Sequence, residues 1–146
     1  MIPRTVYRVG WALHRALFRM TGGRVGTQRA KDGRLGTLFI TTTSRRTGRP
    51  LRNPLYYLED GSNLVVAASN VGAAHDPGWW RNLQADPHAR VDLAGQQFPV
   101  SARRASADET DRLWPRFIAA NSAFAAYRVN ADREVALVVF EVIEPG

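Results

Sequence analysis

Apolar and polar residues alternate, or run in short apolar blocks, near 35–43, 51–59, 63–69, 88–94, 97–105 and 135–143. A period of two, enriched in Val, Ile, Thr and Tyr, predicts strands at all six. Asp60-Gly61 is a tight-turn signal joining the second strand to the third. A short helix is expected at about 77–85, with Asp76 as N-cap, Pro77 in the first position and Asp86-Pro87 as the stop. Trp79 and Trp80 point about 100° apart on it, so one of the two is expected in the core. A longer helix should start at Ser106, where Ser106-x-x-Glu109 forms a capping box, and run past Trp114 toward Ala120. Parallel neighbours need a helical crossover, and most of these strands follow one another directly. The pattern predicts a mainly β (α+β) domain over 35–146, a six-stranded antiparallel barrel with flanking helices.

Residues 1–34 follow a different period. At about 100° per residue, Arg4, Arg8, Arg15 and Arg19 fall within roughly 60° of arc, opposite Val6, Val9, Leu13, Leu17 and Met20. Tyr7, Trp11 and Phe18 flank the two faces. This basic amphipathic helix suits an anionic membrane surface, and equally a site on the domain core with solvated arginines. Gly22, Gly23 and Gly26 end it and open a basic link to residue 35.

Charge sharpens this division. Residues 1–52 hold eleven arginines and Lys31 against Asp32 alone, a net of +11; residues 53–146 hold eight arginines against twelve acids, a net of −4. One end of the molecule is therefore suited to nucleic acid, an anionic membrane or an anionic small ligand. The chain has no cysteine, which excludes disulfides, thiolate metal sites and a cysteine nucleophile. His14, His75 and His88 lack metal-ligand spacing, so no metal is expected. No run is long enough to span a membrane and no secretory signal is present. A cytoplasmic location is expected, peripheral on the inner membrane face if the N-terminal helix attaches.

The densest chemistry lies in Thr41-Thr42-Thr43-Ser44-Arg45-Arg46-Thr47-Gly48-Arg49-Pro50-Leu51-Arg52-Asn53-Pro54-Leu55-Tyr56-Tyr57. Here a strand enters a turn and leaves as a second strand, with four arginines around it and backbone N–H groups expected to be free. Arginine forks match phosphate and carboxylate bidentately. Ala67-Ala68-Ser69-Asn70-Val71-Gly72 is a small-residue turn that permits close backbone approach, and the helix start at Pro77 favours negative charge. Dinucleotide, Walker, zincin and nucleophile-elbow motifs are absent.

The ordered motifs T-T-T-S-R-R-T-G-R-P-x-R-N-P-L-Y-Y-L, V-V-A-A-S-N-x-G and D-P-G-W-W-R-N-L-x-A-D-P resemble the deazaflavin-dependent nitroreductase family of actinobacteria over residues 35–143. The resemblance implies a split β-barrel of flavin-reductase/pyridoxamine-phosphate-oxidase type. It also implies an oxidoreductase that passes a hydride from reduced coenzyme F-420 to a quinone, an activated alkene or a nitroaromatic. Carried onto this chain, it assigns Ser44, Arg45, Arg46, Thr47 and Gly48 to the phosphate and tail, and Arg52, Asn53, Pro54 and Leu55 to the strand beside the ring. Ser69, Asn70, Val71 and Gly72 match the loop facing phosphate and ring; Trp79, Trp80 and Asn82 match the following helix. Tyr56, Phe124 and Tyr127 fall at substrate-pocket positions, and Tyr127 or Ser69 could relay a proton in competition with water.

The chain departs from the family where Arg46 replaces a common Lys, where Asn70-Val71-Gly72 replaces Lys-Gly-Gly, and where Asn121 and Phe124 stand in a region elsewhere richer in tyrosine. The last departure bears on nitroimidazole activation more than on coenzyme binding. A flavin mononucleotide or pyridoxal-phosphate protein of the same barrel, a non-catalytic coenzyme F-420 binder and a membrane-associated structural protein remain open. Nucleic acid is not expected as a partner, because no reader motif is present.

Overall fold

The computed structural model describes residues 27–31, 33–70, 75–130 and 134–143. The helix expected over 1–20, its glycine link, and Val71 and Gly72 lie outside them. Six strands form: β1 (Gly36–Thr43), β2 (Pro50–Asp60), β3 (Asn63–Ala67), β4 (His88–Leu93), β5 (Gln96–Arg104) and β6 (Leu137–Val142). They close into a barrel in the order β1-β2-β3-β6-β5-β4, and every pair is antiparallel. Each lies within two residues of its expected bounds. The turn after Asp60 is the expected one, with Gly61 at φ +61. β4 returns into β5 through Ala94 and Gly95, both at positive φ, as a tight hairpin requires.

Strand alternation sorts the side chains. Leu38 and Ile40 of β1, Tyr57 of β2, Val66 of β3, Val91 of β4, Val100 of β5 and Phe140 of β6 fill the barrel interior. A second cluster lies outside it, where Leu58, Val65, Leu137 and Val139 meet Leu113, Trp114, Phe117 and Phe124. The helices of that cluster are α2 (Ala107–Ala120) and α3 (Ala123–Asn130); α1 (Gly78–Ala85) joins the interior cluster instead.

Three helical details differ from the sequence reading. The N-cap of α1 is Pro77, with extended φ/ψ and no side-chain cap bond, so Asp76 stands one residue outside. The Pro77 carbonyl accepts the N–H groups of Trp80 and Arg81, as the N-cap carbonyl of a helix does. Trp79 and Trp80 are both buried, at 6% and 5% exposure. A helix that packs into the interior cluster has apolar neighbours on more than one side, and Trp79 meets Phe140 edge-on at 6.4 Å. The third difference is α3, which the sequence reading did not anticipate. Asn121 starts it, its Oδ1 accepting the Ala123 N–H at 3.0 Å.

The segment before β1 is tied down. Gln28 and Thr37 exchange backbone hydrogen bonds at 3.1 and 2.8 Å, and the Ala30 N–H donates to Tyr57 Oη at 2.9 Å. Burial raises the Tyr57 pKa. Gly36 permits this crossing, because a Cβ there would collide with the Tyr57 ring and the backbone of Gln28 and Ala30.

The capping box at Ser106 forms as expected, with the Glu109 N–H on Ser106 Oγ and the Ser106 N–H on Glu109 Oε1. Arg103 grips the same carboxylate with two nitrogens at 2.7 and 3.0 Å. These bonds, the Arg103 fork first, lower the Glu109 pKa from an ordinary 4.5 to about 2. A carboxylate depressed in the folded state stabilises fully above its unfolded pKa, and that stability is lost as pH falls through the folded value. Solvent screening at the 40%-exposed Arg103 side chain reduces the effect to about 1 kcal/mol. Urea unfolding should show stability declining from about pH 5 toward pH 2, and Glu109→Gln should flatten that decline by about this amount.

Candidate functional site

The β1–β2 turn is built from within. The Ser44 N–H donates to the Arg49 carbonyl and the Gly48 N–H to the Ser44 carbonyl, closing the loop at 2.8 and 2.9 Å. Gly48 sits at φ +73, the left-handed region where glycine carries no Cβ penalty. Ser44 Oγ accepts the N–H groups of Arg46 and Thr47, and Thr47 Oγ1 accepts that of Arg49. The Arg45 N–H donates to Asn82 Oδ1 on α1. The N–H groups of residues 44–49 are therefore engaged inside the protein, contrary to the expectation of free donors. Ser44, Thr47 and Gly48 shape the turn, and the guanidinium groups of Arg45 and Arg46 are left on the cleft that it borders.

Opposite the turn stands the start of α1. A cleft of about 550 Å³ opens between them. Of the residues expected at the site, Ser44, Arg45, Arg46, Asn53, Trp79 and Asn82 line it. Leu51, His75, Asp76, Gly78 and Arg81 line it as well and were not anticipated. Arg81 follows Gly78 by three residues, so the two share a helix face, and this spacing was legible in the sequence. Among the described residues, Arg45, Arg46 and Arg81 have no carboxylate within ion-pair distance. Pro77, the N-cap of α1, makes no side-chain cap bond, and the first turn of the helix holds no acid. The cleft thus gathers three arginines without an ion-pair partner, with Asp76 the acid on its lining.

Arg52 stands elsewhere. On β2 the odd residues Asn53, Leu55 and Tyr57 face the cleft and the interior, so Arg52, Pro54 and Tyr56 point to the outer face. Arg52 Nη2 meets Asp92 Oδ2 at 2.7 Å, and its guanidinium lies 5.2 Å from the Phe39 ring centre. Asp92 is 1% exposed, which makes this a structural ion pair. Strand alternation thus separates Arg52 from the arginines of the turn.

The residues expected around substrate are also dispersed. Tyr56 is 59% exposed on the outer face of β2. Phe124 and Tyr127 pack edge-on at 5.5 Å within the cluster that α2 and α3 build. None of the three lines the cleft. Trp80 is buried in the barrel, and Leu55 packs against the same interior. Ser69 is buried, and Asn70 adopts φ +46, its amide donating to the His75 carbonyl at 3.0 Å. A second hollow of about 600 Å³ lies at the other end of the β1–β2 hairpin, lined by Ala30, Arg34, Leu58, Glu59, Arg116 and Ala120 among others. Its Arg116 already donates to the Glu59 carbonyl, and it holds none of the motif residues. No cluster of metal-ligating residues occurs among the described residues.

Comparison with known proteins bears on this geometry. A family model described as F420H(2)-dependent quinone reductase matches residues 11–142. A Mycobacterium tuberculosis F420H(2)-dependent quinone reductase is 31% identical over 131 residues, covering 87% of this chain and 86% of that protein. A solved F420-H2 dependent reductase (FDR-A) superposes with a TM-score of 0.65 at 25% identity, covering 72% of this chain and 93% of its own. A Listeria innocua structure provisionally described as a pyridoxamine 5′-phosphate oxidase shares the fold, with a TM-score of 0.55 at 11% identity, covering 74% and 84%.

The placement of the arginines separates binding from stability. Arg46→Ala should weaken coenzyme F-420 binding about tenfold or more, the loss of one charge-assisted contact, with little change in stability. Arg52→Ala should do the reverse. It strands a buried Asp92 carboxylate, lowering stability by about 3 kcal/mol, and changes affinity by less than threefold. Equilibrium titration and urea unfolding of both variants check this, and an exchange of the two effects would refute the assignment.

Proposed function

The chain belongs to the F420H(2)-dependent quinone reductase family, and from that premise we infer that it is an oxidoreductase reducing an acceptor, a quinone foremost, with reduced coenzyme F-420. The observation that carries this reading is the cleft with Arg45, Arg46 and Arg81 on its walls and no carboxylate paired to any of them among the described residues. A phosphate followed by glutamates is the ligand such a cleft favours, since each guanidinium fork matches an anionic group. The first turn of α1, which holds no acid, favours the same charge. A phosphate alone would need fewer cations, which weighs against flavin mononucleotide and pyridoxal phosphate.

When bound, the deazaflavin supplies the hydride. The chain binds, orients and excludes water. Arg45, Arg46 and Arg81 would hold the phosphate and tail. Leu51, Asn53 and Trp79 offer the apolar and amide surface that a flat ring requires, and Trp79 is fixed by its contact with Phe140. The Asn70 amide donates to the carbonyl of His75, a residue of the cleft, whereas Tyr127 packs in the outer cluster, which supports the neighbouring Ser69 over Tyr127 as a proton-relaying hydroxyl. Water reaches the exposed Arg46 and Arg81 and is a sufficient proton source.

We infer the acceptor to be a lipid-soluble quinone, with activated alkenes and nitroaromatics as lesser substrates. The basic, amphipathic pattern of residues 1–20 supports presentation at an anionic leaflet, each arginine near such a surface contributing about 1 kcal/mol. No helix among the described residues is long and apolar enough to cross a membrane. The test is oxidation of reduced coenzyme F-420 by the full-length chain with menaquinone in anionic or in neutral vesicles, beside soluble enone and nitroaromatic acceptors. Oxidation should be fastest with quinone in anionic vesicles. Equal rates in both vesicles would remove the membrane claim, and no acceleration by any acceptor would leave a coenzyme binder without reductase activity.

A further inference from the structure

Elsewhere on this barrel arginines are fixed by carboxylates: Arg103 by Glu109, Arg112 by Asp60, Arg52 by Asp92. The arginine turn is fixed by an amide. Asn82 is 2% exposed, and its Oδ1 accepts both the Arg45 backbone N–H at 3.2 Å and Arg45 Nη1 at 3.0 Å. Its Nδ2 donates to Thr42 Oγ1 at 3.1 Å, a hydroxyl itself buried at the end of β1. One side chain therefore joins the strand, the turn's main chain and a guanidinium. These bonds engage its oxygen twice and its nitrogen once within the protein, so Asn82 acts on a ligand through Arg45.

We propose that Asn82 is a positioning residue of the anion cleft whose role depends on its being neutral: it aims Arg45 without cancelling its charge. An aspartate has the same shape and would accept the same two bonds more strongly. The Thr42 hydroxyl could rotate to donate to it, and pairing with Arg45 would offset the cost of burying the charge, so the fold would be kept. A carboxylate at this position would nevertheless neutralise Arg45 and repel an incoming phosphate from within the cleft wall, where burial limits screening. Stability alone would accept Asp or Asn here; anion binding accepts only Asn.

The proposal rests on the reading of the cleft as the coenzyme site, and the experiment separates the two. Coenzyme F-420 dissociation constants and thermal midpoints are measured for the wild type, Arg45→Ala, Asn82→Ala, Asn82→Asp and the Arg45→Ala/Asn82→Ala double variant. Arg45→Ala should weaken binding about tenfold. Asn82→Ala should weaken it about fivefold in the wild-type background and less than twofold in the Arg45→Ala background, because an effect transmitted through Arg45 vanishes with it. Asn82→Asp should melt within a few degrees of the wild-type midpoint and bind about tenfold more weakly. Equal factors for Asn82→Ala in both backgrounds, or wild-type affinity of Asn82→Asp, would overturn the positioning role. Should Asn82→Ala not fold, the isosteric Asn82→Asp decides alone. An Arg45→Ala variant that binds the coenzyme normally would refute the cleft reading itself.

Discussion

Cations meant for a ligand must be held close together without the anions that would normally hold them. That constraint governs the structure around the β1–β2 turn. Wherever this protein pairs an arginine with an acid, as at Arg103–Glu109, the charge is consumed in the pairing. In the turn, neutral groups replace the acid: Ser44 Oγ on two backbone N–H groups, Asn82 Oδ1 on Arg45. Hydrogen bonds to neutral acceptors contribute about 1 kcal/mol each, enough in number to set a turn and too little to quench its field. The guanidinium groups stay available.

The barrel makes this arrangement rigid. The turn springs from the end of β1, whose register with both β2 and β4 is fixed by closure of the sheet. α1 packs into the interior cluster through Trp79, Trp80 and Leu83, so the backbone that carries Asn82 and Arg81 is anchored by buried aromatic area. Thr42, pointing inward at the last turn of the strand, links these two anchors through Asn82. The second cluster, with α2 and α3, stabilises the opposite wall and has no lining residue in the cleft.

The β-strands and the capping box were legible because period-two alternation and Ser106-x-x-Glu109 are local signals. α3 escaped because its eight residues, Ala-Phe-Ala-Ala-Tyr-Arg-Val-Asn, carry no capping box and only a short apolar stripe; its one local mark was Asn121 as an initiator. The basic turn was legible as chemistry, but its division was not read. Counting alternate positions along β2 would have sent Arg52 outward and Asn53 inward. The engagement of the Arg45 N–H was not readable, since it depends on Asn82 arriving from 37 residues further along the chain; the other N–H groups of the turn bond locally to Ser44, Thr47 and Arg49. Arg81 was visible in the motif and needed only a helical projection beside Gly78. The same count sends Tyr56 outward, whereas the packing of Phe124 and Tyr127 into the outer cluster is tertiary information that no spacing encodes.

If uncompensated arginines define the ligand, affinity must depend on how many anionic groups the ligand carries. The direct measurement is the dissociation constant of oxidised coenzyme F-420 against that of flavin mononucleotide, each across a series of salt concentrations. The coenzyme with the phosphate and glutamate tail should bind at least tenfold more tightly at low salt, and its affinity should fall more steeply as salt screens the cleft. Equal affinities with equal salt dependence would contradict the account, because the ring alone, and not the charge held by the turn, would then be what the protein recognises.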